Sequence, residues 1–300
     1  MADEYKGLFA DAGGTRLHYY DVGNGEPLFL LHGGGAGASG LSNWRRNIGP
    51  LSKEFRVLTV DQPGYGLSEN RVGNEGLFAS HADAVLGLMN RLDIKKASFV
   101  GNSLGGGTTL ALALREPDRV NKMVLMGPGG MIPVCQPWPS EGLRRMFDFY
   151  EGEGPTIEKM RGIVNELVYD VKAIPESLIQ ERFAAATRPE YLAAPPLRNL
   201  GTHPNDELWR APLNRLTHET LLTWGREDRT LPLDAALIPL KVIPNAQLHV
   251  FPKCGHWAQW EKADLFNEVI VQFLKRDTGE REEASSAGPM RGAYGVKKAS

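Results

Sequence analysis

The chain has 300 residues, 42% of them hydrophobic and 23% charged, which is the composition of an ordinary globular protein and excludes a collagen-like or wholly disordered one. At roughly 150 residues per domain, this length holds two average domains or one large α/β domain carrying an insertion. Lysine and arginine number 34 against 36 aspartates and glutamates, a net charge of −2, so the bulk charge offers no footprint for nucleic acid or an anionic membrane surface, and neither partner is expected.

The N-terminal MADEYKGLFADAGG carries acidic residues where an export signal needs a cationic and then an apolar stretch. No apolar run approaches the ~20 residues of a membrane-spanning helix. A soluble, cytoplasmic protein is the expectation, and the two cysteines, Cys135 and Cys254, suit a reducing compartment.

Short runs rich in Val, Leu and Phe then recur, each closed by a Gly-rich turn and followed by a helical pattern. This is the rhythm of a parallel α/β sheet. Strands are expected at Arg16–Asp21, Pro27–Leu31, Arg56–Asp61, Ala97–Val100 and Met123–Met126, with two more at Thr220–Trp224 and Gln247–Phe251. Between these groups the period changes to 3.6: Ile157, Met160, Ile163, Val164, Leu167 and Val168 keep helical spacing, as do Leu178, Ile179, Phe183 and Ala186. The expected organisation is an α/β core over 1–134 and 208–276, with a helical cap over 135–207 lying across the carboxyl edge of the sheet, where open α/β sheets bind ligands. The segment 277–300 is small, polar and aperiodic, and is expected to be a disordered tail.

The strand at Ala97–Val100 runs into Gly101-Asn102-Ser103-Leu104-Gly105, with a helical stretch from about Gly106 to Arg115. This is a G-x-S-x-G nucleophile elbow in its required strand–turn–helix setting, and Ser103 is the candidate nucleophile. A serine hydroxyl needs a base and the base an orienting acid. His18 and His249 sit inside strand patterns, while His81, His203 and His218 read as solvated surface. His256, in Cys254-Gly255-His256-Trp257, follows the last strand and is the candidate base. The acid lies in Gly225-Arg226-Glu227-Asp228-Arg229, again at a strand end, where Glu227 and Asp228 compete and either could simply pair with a neighbouring arginine.

The loop His32-Gly33-Gly34-Gly35 offers free N–H groups that could hold an oxyanion together with the N–H of Leu104, with His32 bracing the loop. Gly35–Gly40 also matches G-x-G-x-x-G, with Asp61 21 positions on, but a dinucleotide fingerprint follows its strand at once, and here His32 and two glycines intervene. No P-loop, HExxH or CxxC is present, so no cofactor and no metal are expected. Arg182 borders an apolar helical face. It could clamp a substrate carboxylate, although spacing alone favours a pair with Glu181, Glu176 or a surface acid. Asn43 and Asn102 flank the oxyanion loop, and Trp257 could wall a pocket.

Taken together, HGGGAGASGLSNW, DQPGYGLS, GNSLGGGTTLALAL, MGPGGM, WGREDRTLPLD and CGHWAQWEK resemble the meta-cleavage product hydrolases, α/β-hydrolases that break carbon–carbon bonds in bacterial aromatic and steroid degradation; the likeness runs from about Tyr5 to Arg276. The resemblance implies the α/β-hydrolase fold, a mostly parallel sheet flanked by helices with an inserted helical cap. It implies a Ser103, Asp228 and His256 triad, oxyanion donors at Gly34 and Leu104, and substrate contacts at Asn43, Asn102, Arg182 and Trp257, reversing the spacing-based reading of Arg182. The implied substrate is a 2-hydroxy-6-oxohexa-2,4-dienoate, ketonised with His256 carrying the proton and then cleaved at C6 to 2-hydroxypenta-2,4-dienoate and a carboxylic acid. A homodimer or larger assembly is also implied. Ala36 stands where relatives often have proline. The rival readings are a carboxylesterase using the same triad and a low-turnover ligand-binding receptor; Ser103 disfavours dehalogenases and epoxide hydrolases, which need aspartate there.

Overall fold

The computed structural model describes residues 5–70, 73–197, 200 and 203–276, and the expected tail at 277–300 lies outside the described residues. Eight strands form one sheet in the order β1-β2-β4-β3-β5-β6-β7-β8: β1 (Leu8–Asp11), β2 (Arg16–Val22), β3 (Pro27–Leu31), β4 (Arg56–Val60), β5 (Ala97–Asn102), β6 (Val120–Met126), β7 (Thr220–Gly225) and β8 (Ala246–Phe251). From β4 to β8 every pairing is parallel, while β1 and β2 enter antiparallel. All seven expected strands are present, with ends shifted by up to three residues. β1 was not foreseen, because Leu8-Phe9-Ala10-Asp11 is short and only half-buried.

The inner strands are buried on both faces, which is why they read as mostly apolar runs. In β3, Phe29 and Leu31 join one core cluster with Leu58, Phe99 and Trp224, whereas Leu28 and Leu30 join the opposite one with Val57, Phe251 and Phe266. Alternation of side chains along a strand thus divides one strand between two cores. Both cores are closed by helices, among them Leu77–Arg91 and Leu104–Arg115 on the first face and Ala263–Lys275 on the second.

Residues 135–207 supply the helices Glu141–Phe147, Ile157–Leu167, Glu176–Ala186 and Pro189–Ala193, and no strand among the described residues. The Thr156 side chain caps Ile157–Leu167 by accepting from Lys159 N at 3.2 Å. The buried face of that helix is Met160, Ile163, Val164 and Leu167, an i, i+3, i+4, i+7 stripe. It packs with Leu178, Ile179 and Ala186 of Glu176–Ala186 and with Trp257 and Trp260 of the core in a third apolar cluster.

His81, expected at the surface, is fully buried beneath Leu77–Arg91. The reason is tertiary: its helix face turns toward Gln62, whose Oε1 lies 3.4 Å from His81 Nδ1 and accepts from Thr108 Oγ1 at 2.8 Å. His203 and His218 are only half-buried. Burial holds the His81 imidazole down at a pKa of about 3. It therefore stays neutral when folded and takes a proton on unfolding below its ordinary value of 6.5, so stability is full above that pH and drains as pH falls toward 3, by about 1.4 kcal/mol per pH unit. Urea melts between pH 7 and pH 5 are expected to lose less stability on acidification in His81→Gln than in the wild type; equal losses would mean that folded His81 takes up its proton over the same pH range as in the unfolded chain.

Candidate functional site

Ser103 stands between β5 and the helix Leu104–Arg115, which begins two residues earlier than the sequence suggested, with backbone angles φ 49° and ψ −110°. A non-glycine residue there is strained. Its surroundings enforce the angle: Ser103 N donates to Met126 O at 2.9 Å, and Ser103 O accepts from Gly129 N at 2.7 Å. The flanking glycines allow the turn to close, since a Cβ on Gly105 would sit 2.1 Å from Leu31 O and one on Gly101 2.4 Å from Gly105 O.

Asp228 follows β7 and His256 follows β8, so the parallel sheet delivers both to the same edge as Ser103. His256 Nδ1 donates to Asp228 Oδ2 at 2.6 Å, while Asp228 Oδ1 accepts from Thr230 N at 2.8 Å and Leu231 N at 2.9 Å. With Nδ1 committed to the carboxylate, Nε2 carries the free lone pair, and it is buried without a hydrogen-bond partner among the described residues. That is the arrangement of a base awaiting a proton. Glu227, the competing acid, is drawn elsewhere. Its Oε2 accepts from Cys254 N at 3.0 Å and its Oε1 pairs with Arg226; burial pushes its carboxyl up, but these partners outweigh it and hold the carboxyl below its ordinary value.

The oxyanion loop is braced as its sequence suggested. His32 Nδ1 donates to Gly33 O at 2.8 Å, Nε2 accepts from Gln62 N at 3.0 Å, and burial keeps the ring neutral by lowering its pKa. Tyr65 Oη donates to Gly34 O at 2.8 Å. Gly34 and Leu104 are neighbours, for a Cβ on Gly34 would lie 3.3 Å from Leu104 Cβ. Asp61, the apparent ribose-binding acid of the rejected dinucleotide fingerprint, is occupied by Gly40 N at 2.7 Å, Leu67 N at 2.9 Å and His18 Nδ1 at 2.8 Å.

Arg182 lies among neither of the acids that spacing favoured. Glu181 pairs with Arg45 at 2.5 Å and Glu176 with Arg161. The Arg182 guanidinium is buried to 2% exposure, donates from Nη2 to Ala36 O at 2.9 Å and stacks 5.1 Å over Trp257, with Nε unpartnered. Burial lowers its pKa to about 10, so it remains a cation at neutral pH. Asn43 Nδ2 and Asn102 Oδ1 are likewise buried without partners. These four side chains share a narrow recess with Ser103, Gly34 and His256.

On the other side of Ser103 opens a cavity of about 300 Å³, bounded by Phe78, Leu143, Met146, Phe147, Trp138 and Trp209 among others. Among the aromatic residues of 135–207, Trp138 and Phe147 line it, as does Trp209 just beyond. Phe149 is wholly buried in the cap core with Tyr150 packed beside it, and Tyr169 faces solvent. Met146 borders both recesses and carried no motif to announce it. Gly127 was also missed, although MGPGG had been noted: at φ 47°, a Cβ there would stand 3.1 Å from His256 Cε1.

The model of the α/β-hydrolase fold matches residues 26–157 and 199–263. A 2-hydroxy-6-oxo-6-phenylhexa-2,4-dienoate hydrolase from Burkholderia cepacia is 42% identical over 269 residues, covering 86% of this chain and 91% of the relative. The chain belongs to the meta-cleavage product hydrolases of the α/β-hydrolase family. A 2-hydroxy-6-oxononadienedioate/2-hydroxy-6-oxononatrienedioate hydrolase from Comamonas testosteroni is nearly as similar, at 41% with the same coverage. Among solved structures, a meta-cleavage product hydrolase from Pseudomonas fluorescens IP01, a serine-to-alanine variant complexed with acetates, superposes with a TM-score of 0.80 at 36% identity, covering 89% of this chain and 97% of that one. No helix among the described residues is long and apolar enough to cross a membrane.

The two acids are separable by experiment. Asp228→Asn keeps the backbone contacts but misdirects the imidazole tautomer, and is expected to lower kcat by about 10⁴-fold, whereas Glu227→Gln is expected to stay within about tenfold of the wild type. Steady-state kinetics of both purified variants decides, and the reverse order would exchange their assignments.

Proposed function

We propose that the protein hydrolyses the C5–C6 bond of 2-hydroxy-6-oxohexa-2,4-dienoates, with Ser103, Asp228 and His256 as triad and the Gly34 and Leu104 N–H groups as oxyanion hole. The observation that carries this reading is the buried Arg182 cation with no acid paired to it among the described residues. An unpaired buried charge is costly, and an ester substrate gives it no counter-ion. A substrate carboxylate beside Arg182 supplies one, while Asn43 Nδ2 and Asn102 Oδ1 offer a donor and an acceptor to the 2-hydroxy or 2-oxo group.

In the first stage His256 carries the proton that turns the dienol into its keto form. In the second, Ser103 attacks the C6 carbonyl, whose developing negative charge lies against Gly34 N and Leu104 N, where one such donor is worth roughly 100- to 1,000-fold in rate. Cleavage of the C5–C6 bond leaves the pentadienoate on the Arg182 side and an acyl-enzyme on Ser103, which water then releases as a carboxylic acid.

The cavity beyond Ser103 receives the C6 substituent. Its volume is about twice the ~150 Å³ that accommodates benzene, enough for a phenyl or fused ring. Asp206 and Glu207 also border it, and among the described residues no Lys, Arg or His does, which disfavours a substituent ending in a carboxylate. The polar recess is narrow, about 10 Å³, or room for about one water. Arg182, Met146 and Leu167, all contributed by residues 135–207, line it.

Mixing the protein with 2-hydroxy-6-oxo-6-phenylhexa-2,4-dienoate should bleach the dienolate absorbance and yield benzoate, with no benzoate formed by Ser103→Ala. Arg182→Met is expected to lower kcat/KM for the dienolate by about 10- to 100-fold, the worth of one charge-assisted hydrogen bond, while leaving a nitrophenyl ester nearly untouched. Rapid ester cleavage with an unbleached dienolate would favour the esterase instead. Replacing the phenyl substrate by 2-hydroxy-6-oxononadienedioate should cost at least about tenfold in kcat/KM, as expected when a carboxylate is buried without a partner; equal rates would remove the charge argument for the cavity.

A further inference from the structure

We infer that Glu261 is a positioning residue that couples the seating of the cap to the loop carrying the candidate base; this rests on the role proposed for His256. Glu261 ends the short helix Ala258–Glu261, and its side chain is half-buried. Its Oε2 accepts from Gly255 N at 2.7 Å, the peptide immediately before His256. Its Oε1 accepts from Tyr169 N at 2.8 Å and Asp170 N at 3.1 Å, just beyond the helix Ile157–Leu167. One carboxylate therefore holds three backbone donors drawn from two segments far apart in sequence, and charge-assisted bonds of this kind are the strong ones.

The contact belongs to a wider seam. Trp257 N, on the other side of His256, donates to Leu167 O at 3.1 Å. Gly255 presses so closely on the same turn that a Cβ there would lie 2.8 Å from both Leu167 O and Val168 Cα. Arg229, next to Asp228, donates to Val168 O at 3.1 Å and pairs with Glu166 at 3.1 Å. The end of the Ile157–Leu167 helix is thus fastened on both sides of His256, and Glu261 is the side chain that grips both chains at once.

This matters because Met146, Leu167 and Arg182 of the same segment line the polar recess, so the seating of the cap and the shape of the site are linked. A shift at Tyr169 and Asp170 withdraws two of the three donors on Glu261 and frees its carboxylate, loosening the hold on Gly255. When the cap reseats over substrate, the same three bonds re-form and return the imidazole to its place against Asp228. Catalytic alignment of His256 is then greatest when the site is closed.

Glu261→Gln tests the coupling, since the amide keeps the shape but replaces one acceptor with a donor. Both 2-hydroxy-6-oxo-6-phenylhexa-2,4-dienoate turnover and nitrophenyl ester hydrolysis are expected to fall in kcat by between about 10- and 100-fold, the scale of a slightly misplaced catalytic group. The acid limb of the kcat/KM pH profile is expected to move, and Glu261→Asp to restore part of the loss. Glu181→Gln, which cuts the ion pair with Arg45 elsewhere on the cap, should leave ester hydrolysis unchanged. If Glu261→Gln slows the dienolate alone, Glu261 acts on the cap and not on the imidazole. If it lowers Tm while rates and pH profile stay as in the wild type, its role is structural only. Either result overturns the inference. An inactive wild type in both assays would instead overturn the functional reading beneath it.

Discussion

The strained turn at Ser103 is the constraint on which the rest of the site depends. A serine at φ 49° persists only where its neighbours over-determine it, and here they do so by main-chain bonds to Met126 and Gly129 together with the close approach of Gly105 to Leu31. The same contacts place Leu104 N at the start of a helix and beside Gly34. The strained turn thus brings Ser103 and Leu104 N, the proposed nucleophile and one proposed oxyanion donor, beside the loop that carries Gly34, the other. β6 takes part twice, through Met126 O to Ser103 and through Gly127 beneath the His256 ring.

Around that turn the site divides by polarity. One side holds an acid-free guanidinium, two half-satisfied amides and the base; the other is an apolar cavity of about 300 Å³. Unpaired polar atoms in a protein interior cost free energy, and a cluster of four around one nucleophile reads as a site completed by its ligand. A dienoate, charged at one end and carrying an apolar group at C6, has the matching polarity. The cap contributes to both halves, through Arg182 to one and Phe147 to the other, with Met146 between them. Its seating on the His256 loop, through Glu261, is what the proposed coupling turns from a packing matter into a catalytic one.

Much of this was legible in the sequence. The inner strands announced themselves because burial on both faces leaves few polar residues to interrupt them. G-x-S-x-G and HGGG were readable because backbone geometry there demands glycine, and glycine is visible in a sequence. His256 was readable by its place after a strand. β1 was not, being four residues at a half-buried edge, and His81 was misread because a histidine on a helix carries no mark of the face it occupies until that helix is docked.

Seven of the eight strands and the G-x-S-x-G elbow were legible in the sequence by itself, and its motifs carried the resemblance to the meta-cleavage product hydrolases. The strands and the elbow rest on local rules of periodicity and turn chemistry, the resemblance on the motifs themselves. The resemblance favours Asp228 over Glu227, and the tertiary structure adds that these adjacent carboxylates turn to different partners, Asp228 to His256 and Glu227 to Arg226 and Cys254 N. The tertiary structure alone showed that Arg182 has no acid paired to it among the described residues, that Met146 stands between two recesses, and that Glu261 joins the cap to the histidine loop. Each of these depends on distances between segments separated by tens to more than a hundred residues, and such distances are fixed by packing, which leaves no periodicity in the chain.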